Sequence, residues 1–335
     1  MPETVAEPVG RVRVGSRGSK LALTQSHMVI GMLTSAHSGL ATELETVKTI
    51  GDKIQDIAMS KIGDKGLFTK ELESALADNM VDVVVHSLKD MQTALPGNMQ
   101  LAAITEREDP RDAVVMGARN RGKRLEDLPA GSTVGTGSVR RVAQLRRLHP
   151  HLQFADIRGN IDTRLAKLDA DDSPFDALVL AAAGLRRLGL GGRITHTLDS
   201  VLHAVGQGAL GIEIRANDSR TARLVRCLDH RQSRLECLAE RELMRVLEGG
   251  CSVPIGVRTS WSGGALTLRA IVVSPDGARA VEAEAATPLS PHKDGAAGKD
   301  GDEQACALGA QVAAIMRERG VDEILGAIHR PTPPS

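Results

Sequence analysis

The chain of 335 residues has no tyrosine, one tryptophan and three phenylalanines, so aromatics make up 1% of it. Proteins that hold single-stranded nucleic acid stack bases on aromatic rings, and such platforms are nearly missing here. Neither charge sign is in excess: Lys+Arg and Asp+Glu both number 42, which removes the overall cationic field of a polyanion-binding domain. Long apolar runs are missing too. No stretch of 18 apolar residues suggests a membrane span, and the opening MPETVAEPVG is acidic without the apolar segment of an export signal. The expectation is a cytoplasmic protein with neither a nucleic-acid nor a membrane partner. The four cysteines, at 227, 237, 251 and 306, form no C-x-x-C pair, and the ten histidines make no ligand pattern with them. Neither a disulfide framework nor a metal site is expected.

What is present is an alternation of strands and helices over 41% apolar residues, enough for two or three domains with real cores. RVRVG (11–15), ELETVKTI and VDVVVHS read as strands, with helices after SRGSK and in GLFTKELESALAD. GDKIQDIAMSKIGDKG (51–66) is charged, glycine-punctuated and weakly periodic, the pattern of a long mobile loop. After TEREDPRD the alternation resumes with DAVVM, STVGT, LQFADI and DALVLAAA, separated by SVRRVAQLRRL and NIDTRLAKL. Such alternation implies mainly parallel α/β sheets. From Ser252 the strands IGVRTSW, ALTLRAIVVS and ARAVEAEA follow one another without helices, as in a small antiparallel sheet. SPHKDGAAGKDGDEQ reads as a flexible loop before a closing helix. The fold class is α/β, two α/β domains plus a small α+β C-terminal domain with a three-stranded antiparallel sheet.

Ligands of open α/β sheets bind beyond the carboxyl ends of strands, so polar residues just after strands are the candidates. Four sets qualify: Arg17 with Ser19, Lys89 with Asp90, GTGSVRR (135–141), and Arg158. Local charge points the same way, since residues 111–193 hold 13 Arg and 2 Lys against 9 acidic residues. In GTGSVRR, Ser138 fits an N-cap and places Arg140 and Arg141 in the first helical turn, where cations oppose the macrodipole. An anion between them reconciles the geometry; so does a turn carrying two solvated arginines. The glycines complete neither a dinucleotide fingerprint nor a P-loop. For Lys89 and Asp90 the two readings are an ion pair and a preorganised carboxylate that stabilises a cation forming on substrate. Cys251 in EGGCSVPIG follows a helix that is expected to end at Gly249, and a helix C-terminus disfavours a thiolate. A buried inert thiol fits it, except that Gly249 and Gly250 leave room for something bulky at the sulfur.

RVGSRGSKLALTQ, KIGDKGLFTKELE, VVHSLKD, GTGSVRR, IRGNIDTRL, AAAGLRRLGL, AVGQGALGIE and EGGCSVPIG, in this order from about residue 11 to 260, together resemble the porphobilinogen deaminases (hydroxymethylbilane synthases) of tetrapyrrole and heme biosynthesis. The resemblance implies two domains like type II periplasmic binding proteins and a third α+β domain: 11–108 with 209–227, 109–208, and 229–330. It implies a transferase that joins four porphobilinogen molecules head to tail with loss of ammonia on a dipyrromethane primer. Hydroxymethylbilane is then released by water. One dipyrromethane per chain is implied, carried as a thioether on Cys251. Asp90 matches the catalytic carboxylate. Lys89, Arg140, Arg141, Ser138 and Ser87 match cofactor contacts, and Arg17, Ser19, Arg158, Arg164, Arg187 and Gln207 match substrate contacts. Arg241 is a further match. Lys65 and Phe68 fall in the active-site loop. A monomer is implied. Two departures stand out: Gln92 replaces the proline common after the Lys-Asp-hydrophobic triplet, and Gly137 stands where a serine is frequent. The competing classes are a non-enzymatic two-domain protein that clamps a small anion, and a cysteine-dependent transferase with a free thiol at 251.

Overall fold

The computed structural model describes residues 10–48, 69–247, 253–290 and 298–329. Cys251, Lys65, Phe68 and the loop expected at 51–66 lie outside the described residues. These residues fall into two compact units. The first comprises 10–48, 69–107 and Ala209–Arg234; the second holds Glu108–Gly208 and the described residues from Leu235 onward.

In the first unit β1 (Arg11–Arg17), β2 (Ala41–Val47) and β3 (Val83–Ser87) run parallel, as the alternation with α1 (Lys20–Ala36) and α2 (Lys70–Ala77) requires. One strand departs from this mainly parallel plan. The next strand is β10 (Leu210–Arg215), which returns late in the chain and lies antiparallel to both β3 and β4 (Met99–Ile104). Hydrophobic pattern alone does not fix strand direction, because a strand buried on both faces reads the same either way. Val12, Val14, Val83, Val85, Ile212 and Ile214 cover one face with Val29 and Leu33 of α1. Val84 covers the other with Leu72 and Leu76 of α2.

The second sheet repeats this plan. β7 (Gln153–Ala155), β6 (Thr133–Gly135) and β8 (Ala177–Ala181) are parallel, and β5 (Asp112–Met116) joins β8 and β9 (His196–Thr197) antiparallel. The third sheet, β11 (Ile255–Ser262), β12 (Ala265–Val273) and β13 (Ala280–Pro288), is wholly antiparallel. It packs on α7 (Arg231–Val246), α8 (Gly298–Glu318) and α9 (Val321–His329). The helix α8 starts at Gly298, inside the segment expected as loop through Gln304. Compactness joins the second and third sheets in one unit because they share apolar contacts: Ala143 and Leu202 cluster with Ile271 and Val273 of β12. His203 also bridges to Val257.

Side chains alternate across β3, so His86 and Ser87 face opposite ways. Buried His86 Nε2 lies 2.7 Å from Glu213 Oε2. Nearby, burial pushes the Glu73 carboxyl up, with the negative charge of Glu213 adding to it and a Thr69 hydrogen bond partly offsetting it. A raised folded value means that Glu73 favours the fold below the ordinary carboxylate range and that this contribution is lost as pH rises through the raised value. Glu73→Gln is therefore expected to raise Tm at pH 7, with the gap to wild type closing by about pH 4. Melting curves at the two pH values check this, and an equal gap at both contradicts it.

Candidate functional site

In the first unit the candidates gather at the carboxyl ends of β1 and β3. Half-buried Arg17 ends β1, and Ser19 caps α1, its Oγ accepting from Ala22 N–H at 3.3 Å. A hydroxyl that accepts from a helix still has its own proton to donate. The first turn of α1 carries no acidic residue, so the positive end of its dipole stands uncompensated by sequence.

After β3 the chain makes one short 3-10 turn, Leu88–Asp90. Leu88 is buried and its N–H donates to Ala209 O at 3.0 Å, while Met91 N–H closes the turn on Leu88 O at 3.2 Å. The Ser87 hydroxyl is held by the buried Gln25 side chain, whose Nε2 lies 3.0 Å away. Anchored on both sides, the turn leaves Lys89 half-buried and Asp90 exposed. The anchored backbone fixes where the Asp90 carboxylate starts, which is the preorganised part of a charge-stabilising group.

In the second unit the arginine question is resolved by a residue the motifs did not single out. Arg140 and Arg141 are not solvated: they are 4% and 6% exposed. The anion between them is Asp112, the first residue of β5, which is fully buried. Arg140 Nη1 donates to Asp112 Oδ2 at 2.7 Å, and Arg141 Nε donates to Oδ1 at 2.9 Å. Burial alone would raise the Asp112 carboxyl, but the charges and hydrogen bonds of the two arginines outweigh it and hold it well below the usual carboxylate range. Its contribution to stability is therefore whole above about pH 4 and is lost as pH falls through the folded value. Ser138 caps α3 (Val139–Leu148), accepting from Arg141 N–H at 3.5 Å.

Other arginines are drawn out of water in the same unit. Arg164 Nε donates to Gly159 O at 2.7 Å; burial pushes its guanidinium down, and the charges of Arg141 and Arg158 push it further. Arg158 pairs with Asp156 at 2.5 Å. Arg187 Nη2 donates to Gly208 O at 2.6 Å, its Nε is buried without a partner, and burial pushes it down as well, with Glu108 partly offsetting. Gln207 is buried and donates to Asp112 and to Pro110 O. Arg241 is buried at 6% exposure. A Cβ on Gly137 would come within 2.9 Å of Asp156 Oδ1 and 3.3 Å of Ile157 O, so a serine there would require the Asp156 side chain to move.

Each unit thus assembles its own cluster, Arg17, Ser19, Ser87, Lys89 and Asp90 in the first and Ser138, Arg140, Arg141, Arg158, Arg164, Arg187 and Gln207 in the second. The residues that reasoning from sequence missed are Asp112 and Gln25. Asp112 shows only as a polar start to an apolar strand, and Gln25 as one polar position of a helix. Among the described residues no group of three or more His, Cys, Asp and Glu side chains is placed to hold a metal, and no helix is long and apolar enough to cross a membrane. Guanidinium groups present planar, forked donors whose geometry suits carboxylates and phosphates.

Comparison with known proteins narrows the chemistry. The family model described as porphobilinogen deaminase, dipyromethane cofactor binding domain, matches residues 12–223, and the porphobilinogen deaminase C-terminal domain matches 234–318. A porphobilinogen deaminase of Synechococcus sp. (strain RCC307) is 50% identical over 319 residues, covering 95% of this chain and 96% of the relative. One from Nostoc sp. (strain PCC 7120) is 48% identical over 330 residues, covering 98% of each. Among solved structures, the methionine binding protein MetQ aligns with 68% of this chain and 90% of its own at 14% identity and TM-score 0.42.

Proposed function

Because this chain belongs to the porphobilinogen deaminase family, we propose that its two clusters divide one reaction, the exposed Asp90 handling charge at the reacting centre and the desolvated arginines holding carboxylates. The enzyme polymerises four porphobilinogen molecules head to tail, with loss of ammonia, on a covalently bound dipyrromethane primer, and then releases hydroxymethylbilane by hydrolysis. The non-enzymatic anion-binding reading is set aside, since the relatives matched over nearly their whole length are named as deaminases. The observation that carries the residue assignments is the cationic cluster of Arg140, Arg141, Arg158 and Arg164, in which the guanidinium groups of Arg141 and Arg164 are drawn out of water.

The residues present fit a ligand that carries several carboxylates. Arg140 Nε and Arg187 Nε are buried N–H donors without partners, and a carboxylate is the acceptor such groups lack. Lys89, Arg140, Arg141, Ser138 and Ser87 would hold the dipyrromethane, and Cys251 would carry its thioether. When bound, this group supplies the free pyrrole α-carbon on which chain growth begins.

Arg17, Ser19, Arg158, Arg164, Arg187 and Gln207 orient the acetate and propionate of porphobilinogen. Asp90 accepts the pyrrole N–H and stabilises the positive charge that spreads onto the ring as the carbon–nitrogen bond to ammonia breaks. The same carboxylate would be placed to take up the proton released when the new carbon–carbon bond forms. Lys65 and Phe68 would serve in the active-site loop that the family resemblance implies. The working parts are 11–108 with 209–227, 109–208, and 229–330. The enzyme acts as a cytoplasmic monomer.

Arg141→Leu tests the arginine assignment. Removing one charged hydrogen-bonding partner is expected to slow cofactor loading about 10- to 100-fold. Intact-mass measurement on apo-protein incubated with porphobilinogen reads this directly, and loading at the wild-type rate would refute the assignment.

A further inference from the structure

Asp112 is fully buried and its two oxygens meet donors from three side chains. Oδ2 takes Arg140 Nη1 at 2.7 Å. Oδ1 takes Arg140 Nη2 at 3.2 Å, Arg141 Nε at 2.9 Å, Arg141 Nη2 at 2.8 Å and Gln207 Nε2 at 2.9 Å. The same side chains are pinned to backbone: Arg140 Nη1 to Leu202 O at 2.6 Å, Arg141 Nη1 to Val179 O at 3.0 Å, and Gln207 Nε2 to Pro110 O at 2.6 Å. Segments far apart in sequence therefore meet on one carboxylate.

Two adjacent guanidinium groups repel, and neither stays buried without a counter-charge. One carboxylate against two cations leaves about one unit of positive charge in the cluster at neutral pH. The edge of Arg140 that usually grips a carboxylate two-pronged, Nη1 with Nη2, is on Asp112, as is the Nε with Nη2 edge of Arg141. Neither arginine is thus an independent clamp. The attraction left for a ligand belongs to the pair, and one buried donor, Arg140 Nε, is left without an acceptor.

We propose that Asp112 is a positioning residue for carboxylate capture: it holds Arg140, Arg141 and Gln207 as one preassembled unit whose residual positive charge receives an acetate or propionate group. This rests on the assignment of the arginine pair to ligand carboxylates. Asp112 touches neither substrate nor cofactor and acts through the arginines.

Two variants test it. Asp112→Glu keeps the charge and moves the carboxylate by one methylene; Asp112→Asn keeps the shape and removes the charge. Loading of apo-protein is followed by intact mass, KM and kcat are measured on the loaded fraction, and Tm is recorded beside them. Displacing a binding group by roughly 1 Å in Asp112→Glu is expected to raise KM about tenfold or more while kcat stays within about threefold. Asp112→Asn is expected to lower both Tm and the loading rate. Where Asp112→Asn fails to fold, Asp112→Glu decides alone. A lower Tm with wild-type KM and loading marks a merely structural residue and overturns the proposal. Wild-type KM and loading in Asp112→Glu beside an impaired Arg141→Leu overturns it while leaving the arginine assignment standing. Wild-type loading in both overturns the assignment itself.

Discussion

Asp90→Ala protein is expected to fold, to accept preformed cofactor, and to turn over porphobilinogen about 10²- to 10⁴-fold more slowly than wild type. The fold should be indifferent because Asp90 is exposed at the end of a turn held by Leu88 N–H on Ala209 O, and none of the anchoring bonds uses its carboxylate. The reaction should not be, because an acceptor fixed opposite a developing cation is worth most where the backbone beneath it cannot relax. Steady-state rates on cofactor-loaded protein of matched Tm decide the matter. Rates within a few-fold of wild type would remove Asp90 from the catalytic role. Asp90→Asn sharpens the result, since it keeps the shape and an acceptor oxygen but not the charge.

Cys251→Ala is expected to have the larger effect on the protein as isolated. The intact mass of wild type under denaturing conditions should exceed the chain mass by two linked pyrrole units, and the variant should lack that increment. Turnover should fall to background, since without the tether the growing chain has nothing to hold its reacting end in place for the next porphobilinogen. Acidic dimethylaminobenzaldehyde gives a second reading, colouring a dipyrromethane and not a bare thiol. Two of the described cysteines are unsuited to substitute: Cys237 is buried, and burial pushes the Cys227 thiol up. An unmodified, alkylatable thiol at 251 in active wild-type enzyme would favour a cysteine-dependent transferase of another kind.

The local structure around the candidate residues was legible because they sit in short contiguous motifs. HSLKD places Asp90 one turn past a β-branched strand, and that local grammar survived intact in β3 and the turn after it. GTGSVRR likewise announced a strand, a serine cap and a helix, which the structure contains as β6, Ser138 and α3. The environment of Arg140 and Arg141 was not legible. Two arginines in a first helical turn read equally as solvated or anion-bound, and the carboxylate that decides lies 28 residues from Arg140 in sequence. A distant ion pair leaves no periodicity for a sequence to display.

The sequence by itself determined the element types, the three sheets and the family, because hydrophobic period, caps and contiguous motifs are local properties of a chain. Only the tertiary structure decided which strands run antiparallel, why the late strand β10 sits between β3 and β4, and that Asp112 gathers the arginines. Those outcomes depend on burial and on partners brought together from remote segments. The strength of a charge, and so its use, is set by the water it has lost and the counter-charge it has found.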